Sequence, residues 1–181
     1  RIQANVKLEN LLLVNTNSDN SKETSNANSY TLTVSNSATL TVNNCHITNL
    51  SSRAGIHVET VDSKLIISNS FIYGCKRSGI FAQNTNVVVS NCSLFDNGYA
   101  GILMKNSKVE INDTVSEFNP RGYHVDDTSI CTIKNSTIIS NIVGVLVEDK
   151  SELNIENSYV SYSFSDEEGG GIGINGESVC N

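Results

Sequence analysis

Apolar and polar residues alternate along this chain in short runs, and the runs recur. Leu40 and Val42, Leu65 and Ile67, Val87 and Val89, Val109 and Ile111, and Leu153 and Ile155 stand two apart, and each pair is followed by asparagine or aspartate. Period two marks a strand with one buried face. The asparagine recurs every 22 residues at Asn69, Asn91, Asn135 and Asn157, with Asp113 filling the gap, and upstream at Asn44 and Asn10 after intervals of 25 and 34. A small residue follows it (Cys45, Ser70, Cys92, Thr114, Ser136, Ser158). Two positions further comes another apolar residue (Ile47, Ile72, Leu94, Ile138, Val160). A third run follows a stretch of variable length: GIHV (55–58), GIFA (79–82), GILM (101–104), GYHV (122–125), GVLV (144–147) and GIGI (171–174), with TLTV (31–34) in the first full unit.

A repeat this short cannot enclose its own core, so each unit has to stack on its neighbours as one coil of a solenoid. No stretch keeps a helical period, and Val, Ile, Thr, Ser and Asn dominate, which disfavours helix. Three short strands per coil predict an all-β parallel β-helix of about seven coils of roughly 22 residues, a rod about 30 Å long. The glycine before each third strand is expected where the chain turns with positive φ.

On the asparagine column and the Gly-Ile-x-Val strand, nearly the whole chain resembles the right-handed parallel β-helix proteins of the pectate-lyase-like superfamily. By that resemblance the strand before the asparagine is PB2, the strand after it PB3 and the glycine-led strand PB1. T3 is the variable segment before PB1, and T1 is the turn after it. The asparagines then form a buried ladder in the PB2–PB3 turn, bonding from coil to coil. Asp113 is expected to weaken it locally, because an ionised carboxylate has no donor.

Composition narrows the picture. Hydrophobic residues make up 38% of the 181 and aromatics 6%, which suits a thin aliphatic core in a single domain, 1–181. The chain starts inside strand-like sequence and stops just after a strand begins, so it reads as a fragment of a longer protein. A net charge of −7 leaves no basic stripe for nucleic acid. No apolar run is long enough to span a membrane as a helix. Cys45 and Cys92, like Cys131 and Cys180, share columns two coils apart, about 9.6 Å and beyond disulfide reach. They read as buried core thiols, with Cys75 alone in a T3 turn. Unpaired thiols favour an intracellular compartment, whereas the fold resemblance favours an extracellular, surface or virion setting. Of four N-glycosylation sequons, Asn91 and Asn135 are expected to be inaccessible in the ladder, leaving Asn49 and Asn112 as possible acceptors. Polar insertions at 14–29 and 161–170, the second carrying Asp166, Glu167 and Glu168, are expected as surface loops beside PB1.

Candidate chemistry falls on the outward side of PB1, across which enzymes of the resembled superfamily bind substrate. One column is Thr33, His57, Phe81, Leu103, His124, Leu146 and Gly173. The other is Ser35, Glu59, Gln83, Lys105, Asp126, Glu148 and Asn175. His124, Asp126, Lys105 and Glu148 are candidates for acid–base catalysis on a polysaccharide. His57, Glu59, Phe81, Gln83, Leu103 and Leu146 are candidates for ligand contact, the apolar members as a stacked row. No cofactor is expected apart from calcium, for which Asp126, Asp127, Glu148 and Asp149 offer hard oxygens. The bland alternative is ordinary cross-strand ion pairing, with Asp127 and Asp149 serving only as turn residues like Asn36, Asn84 and Asn106. GYHVDD (122–127) resembles the Tyr-Gly-x-Asp-Pro-His-Asp pattern of alginate C5-epimerases in composition but not in order, and it lacks the Asp-Pro step. The short repeats are also similar to β-helix interaction modules of F-box proteins and to glycan-binding phage β-helices. Three functions remain: a scaffold recognising carbohydrate or a protein partner on PB1, a lyase or epimerase of acidic polysaccharide, and a structural rod of a surface, filament or virion protein.

Overall fold

The structure is a computed structural model that describes residues 1–16, 30–51, 53–161 and 170–181. Most of the 14–29 and 161–170 insertions, Asp166, Glu167 and Glu168 included, lies outside the described residues. Three parallel sheets form the walls of a β-solenoid. Among the described residues PB2 has eight strands, from Val6–Glu9 to Val179–Cys180. PB3 has seven, from Leu12–Asn15 to Tyr159–Ser161, and PB1 has seven, from Leu32–Val34 to Ile172–Ile174. Each strand pairs with its equivalents one coil away, so the period-two residues stack in register. Val87 lies between Leu65 and Val109, and Val89 between Ile67 and Ile111.

These columns are the core. Leu40, Leu65, Val109, Ile72, Leu94, Ile80, Ile102 and Val145 are fully buried, and each such side chain contributes roughly 1.5–3 kcal/mol on leaving water. In one coil the sizes trade places. Ser116 stands in the PB3 column of Ile72, Leu94 and Ile138, and Tyr123 fills the PB1 column of Ile102 and Val145. Both are fully buried, so the small residue makes room for the large one at the same coil.

The corners carry the backbone bonding that the strands leave open. Asn10, Asn44, Asn69, Asn91, Asp113, Asn135 and Asn157 all lie in the left-handed region, with φ from 48° to 57°, a conformation that Asn and Asp tolerate best among non-glycine residues. Part of the predicted ladder is present in this turn, with Asn43 standing in for Asn44 at one rung. Asn44 Nδ2 donates to Asn10 Oδ1, Asn69 Nδ2 to Asn43 Oδ1 and Asn91 Nδ2 to Asn69 Oδ1, each at 2.7 Å. Among the described residues this run stops at Asn91, beside Asp113. The column is exposed rather than buried, because a left-handed corner residue turns its side chain away from the core. Three of the four sequon expectations therefore reverse, and Asn112 is half-buried. Asn91 and Asn135 are exposed, while Asn49 is fully buried and donates to the Ala54 carbonyl at 2.7 Å.

The buried ladders lie elsewhere. After PB3, Asn119 Oδ1 accepts the Asn97 amide at 3.0 Å, and Asn141 Oδ1 accepts the Asn119 amide at 3.0 Å. Cys75 occupies the same column, its amide donating to Asn97 Oδ1 at 3.2 Å. Hydroxyl ladders fill the other two corners: the amides of Thr85, Ser107 and Ser129 donate to Ser107, Ser129 and Ser151 Oγ, and the Thr114 and Ser136 amides to Ser136 and Ser158 Oγ. The motif glycines Gly55, Gly79, Gly101 and Gly122 are needed for room rather than for positive φ, whereas a Cβ on Gly171 would meet nothing within 4 Å. A Cβ on Gly79 would sit 2.8 Å from the Gly101 carbonyl oxygen, and one on Gly101 would sit 2.6 Å from that of Gly122. The five thiols are free, and Cys45, Cys75, Cys92 and Cys131 are buried. Burial pushes the Cys75 and Cys92 thiols up to about 11.

Candidate functional site

The PB1 register places the first predicted column, and the second from Glu59 to Asp126, as expected, while Ser35 is fully buried. Thr33, His57, Phe81, Leu103, His124, Leu146 and Gly173 pair in sequence. Glu59 pairs with Gln83, Gln83 with Lys105, and Lys105 with Asp126. Exposure is another matter. His57 and His124 are each 5% exposed, Asp126 8% and Leu146 1%. Leu146 is thus closed off and offers no surface to a ligand, contrary to its predicted role. Period-two phase sets which side of a strand a residue occupies, whereas exposure depends on what packs over that side. Phe81, Leu103, Gln83, Glu59 and Lys105 remain half-buried.

The T3 segments raise a wall beside this floor. The Tyr99 amide donates to the Arg77 carbonyl and the Arg121 amide to the Tyr99 carbonyl, both at 3.0 Å, which stacks Arg77, Tyr99 and Arg121 on consecutive coils. The Arg121 guanidinium carbon lies 4.9 Å from the Tyr99 ring centre, and that of Arg53 lies 5.9 Å from the Tyr30 ring centre. Floor and wall enclose a cavity of about 370 Å³ lined by Tyr30, Arg53, Arg77, Phe81, Tyr99, Leu103 and Lys105, among others. Beneath its rim three rings stack. His57 lies 4.4 Å from Tyr30 and 4.8 Å from Phe81, with interplanar angles of 28° and 12°. In an acidic chain, three of the cavity-lining groups are cationic.

Two of the lining residues tie the cavity to the predicted catalytic group. Lys105 Nζ lies 2.6 Å from Asp126 Oδ2. Tyr99 Oη lies 3.1 Å from His124 Nδ1, and Glu148 Oε2 lies 2.9 Å from His124 Nε2. A carboxylate only accepts, so Nε2 of the neutral ring donates to Glu148 and Nδ1 accepts from the Tyr99 hydroxyl. Asn175 Nδ2 donates to the other Glu148 oxygen at 3.3 Å. Burial holds His124 below its ordinary pKa, although the Glu148 bond pulls the other way. Burial raises Asp126, but the bond and charge of Lys105 outweigh it and leave the carboxyl below its usual value. The same bond raises Lys105. Asp126 therefore fixes the ammonium group, while burial keeps His124 as the neutral imidazole between Tyr99 and Glu148.

The structure gathers His124, Glu148, Lys105 and Asp126 beside one cavity. It does not draw the proposed calcium ligands together: among the described residues no three His, Cys, Asp or Glu side chains converge as ion ligands. Asp127 and Asp149 are exposed turn residues at φ 57° and 52°, in the same column as Asn84 and Asn106 at 53° and 46°. Sequence reasoning missed Tyr30, Arg53, Arg77 and Tyr99, because T3 segments differ in length and do not align. Counting back two from the PB1 glycine finds three of them, Arg53, Arg77 and Tyr99. A second aromatic strip lies on the outer side of PB3, where Tyr73 stacks on Phe95 at 5.0 Å and His46 lies 4.8 Å from Phe71.

Three parallel sheets around a stacked aliphatic core, with a groove on one of them, define a right-handed β-helix protein. Residues 10–160 match the family described as the right handed beta helix region, and the chain belongs to that family. Among solved structures it is similar to the A-module of the Azotobacter vinelandii mannuronan C-5 epimerase AlgE4, at 15% identity and a TM-score of 0.65, over 84% of this chain and 52% of that one. It is also similar to the A-module of the epimerase AlgE6 from the same organism, at 17% identity and a TM-score of 0.61, over 84% and 51%. The chain thus spans about half the length of these modules, and at such identities the likeness is one of fold. No curated protein matches it. Among the described residues no helix is long and apolar enough to cross a membrane.

Proposed function

We propose that this chain is a β-helical module that recognises an acidic polysaccharide along its PB1 face. The observation that carries the reading is the cavity: an apolar and aromatic floor of Phe81, Leu103 and Tyr30 edged by Arg53, Arg77 and Lys105. Sugar rings present apolar C–H faces to such a floor, and guanidinium groups take carboxylates in paired hydrogen bonds. The structural neighbours are named for activity on mannuronan, which is consistent with a ligand of this kind. The test is titration of the purified chain with mannuronan, polygalacturonate and neutral mannan, with calcium and with chelator. Arg77 is exposed and sits outside the core, so Arg77→Ala folds. It should weaken binding of the acidic polymers by about tenfold or more. A panel that binds nowhere, or an Arg77→Ala protein that binds as wild type does, contradicts the reading.

The Tyr99–His124–Glu148 bonding favours a second reading in which the bound uronate reacts. Tyr99 would take the proton from the carbon next to the sugar carboxylate while its own passes to His124 Nδ1, and Lys105 would neutralise the charge that develops on that carboxylate. Return of a proton to the opposite face gives the C5 epimer. Loss of the group on the adjacent carbon gives an unsaturated, cleaved product. Proton NMR and ultraviolet absorbance of mannuronan incubated with the chain distinguish the two products from simple binding. His124→Ala should abolish either reaction, and an unchanged polymer assigns the site to recognition alone.

A further inference from the structure

Asparagine stands directly before glycine twice in the chain, at Asn97-Gly98 and Asn175-Gly176. Asparagine is thermolabile, most of all before glycine, whose missing side chain leaves the next backbone nitrogen unshielded. The fold treats the two pairs in opposite ways. Asn97 is 1% exposed. Its Nδ2 donates to the Ile72 carbonyl and to Asn119 Oδ1, and its Oδ1 accepts the Cys75 amide. The Gly98 N–H donates to the Cys75 carbonyl at 2.8 Å, so the nitrogen that would attack the side chain is itself engaged. Asn175 lies in the exposed T1 turn after the Ile172–Ile174 strand. Its side chain makes a long bond to Glu148 Oε1, at 3.3 Å. The Gly176 carbonyl accepts the Lys150 amide at 2.8 Å, but the Gly176 N–H has no hydrogen-bond partner among the described residues. Gly176 also has a φ of 62°, and an added Cβ would stand 3.0 Å from the Asp149 nitrogen. The turn itself therefore selects the glycine.

We infer that Asn175 is a site of spontaneous deamidation, and that its conversion resets the Glu148–His124 pair beside the groove. The Gly176 backbone nitrogen attacks Asn175 Cγ, and its proton passes to solvent. As the new C–N bond closes a five-membered imide, the Cγ–Nδ2 bond breaks and the amide nitrogen, protonated by water, leaves as ammonia. Water then opens the imide at either carbonyl and gives aspartate or isoaspartate at position 175. One water is consumed and one ammonia released, with no oxidant and no cofactor. In the intact chain the Asn175 amide donates to Glu148 Oε1, and Glu148 Oε2 accepts from His124 Nε2. A carboxylate at position 175 has no donor to offer. It repels Glu148 and adds negative charge near His124, a ring already faced by Tyr99, Arg121, Asp126 and Glu148. The added charge favours the imidazolium, so the His124 pKa rises. The reaction proceeds whatever the groove binds.

The test incubates the purified chain in mildly alkaline buffer, folded and in urea. Peptide mass spectrometry follows the gain of about 1 Da at positions 97 and 175. In urea both positions should convert at similar rates. In the folded chain position 175 should convert within about threefold of its rate in urea, and position 97 about tenfold or more slowly than its own, because Asn97 has to wait for local opening. Asn175→Gln, whose longer side chain does not close the five-membered ring, should gain no mass there. Histidine NMR titration of Asn175→Asp should place the His124 pKa above that of wild type. A folded chain that stays unconverted at 175 while the chain in urea converts, or that converts alike at 97 and 175, overturns the inference. A His124 pKa unchanged in Asn175→Asp overturns the coupling to the groove.

Discussion

At the scale of single residues, burial without full compensation sets the behaviour of the PB1 histidines. Both His57 and His124 have folded-state pKa values below 6.5, with burial the largest cause in each. Above that value both rings are neutral in the folded and unfolded chains. As the pH falls below it, the unfolded chain takes up protons that the folded chain resists, so stability declines until the folded pKa values are passed. Asp126 works the other way: its depressed pKa supplies stability at neutral pH that is lost only in stronger acid, as pH falls through the folded value. Melting followed from about pH 7.5 to about pH 5 should therefore show a falling transition temperature, with a shallower slope in His57→Phe. A flat profile would mean that the histidines are not enclosed as described. The phase of the PB1 strands was enough to place His124, Asp126, Lys105 and Glu148 on one side in the sequence. It did not disclose Tyr99, because Tyr99 reaches His124 from a T3 segment whose length varies from coil to coil. Nor did it disclose that Leu146 is covered, because alternation reports direction and carries no information about overlying segments.

At the scale of the element, the coil, one sequence feature concealed another. The asparagine column is conspicuous because one left-handed corner recurs in every coil, and a left-handed φ selects Asn or Asp. That is a backbone requirement, and it is met on the outside of the turn. The bonding that a buried corner requires is supplied by Asn97, Asn119 and Asn141 and by the serine and threonine columns, which are hard to see in a chain so rich in these residues. Substitutions separate the two roles. In Asn119→Leu the side chain no longer accepts the Asn97 amide at 3.0 Å or donates to the Leu94 and Glu117 carbonyls at 3.1 and 2.9 Å. With those groups buried and unpaired it should cost about 3 kcal/mol or more. Asn91→Leu removes one exposed bond and places a branched side chain in a left-handed corner, at about 1–2 kcal/mol. Urea unfolding of the two variants checks the order, and an Asn91→Leu protein less stable than Asn119→Leu would reverse the assignment of the load-carrying ladder.

At the scale of the whole molecule, the fold was legible because a solenoid repeats its instructions. Period two, the 22-residue spacing and the glycine-led strand state the same geometry in each coil, and stacking in register follows. Function is not repeated in this way. It depends on what differs between coils: Arg53 and Arg77 on the wall, aromatic rings on the first coils, and the His124 group on later ones. Net acidity suggested only that nucleic acid is a poor partner, and it concealed a basic edge on one side of the rod. Under the proposed function ligand contact falls on that side and the aromatic strip of PB3 is uninvolved. The most direct measurement is an NMR titration of the chain with oligomers of the polysaccharide that binds best in the panel, following the Leu103 methyls and the Tyr99 and Phe81 rings against the Phe71, Tyr73 and Phe95 rings. Groove binding should give saturable shifts at Leu103, Tyr99 and Phe81, with the PB3 rings unmoved. Shifts at Phe71, Tyr73 and Phe95 with an undisturbed PB1 groove would contradict it.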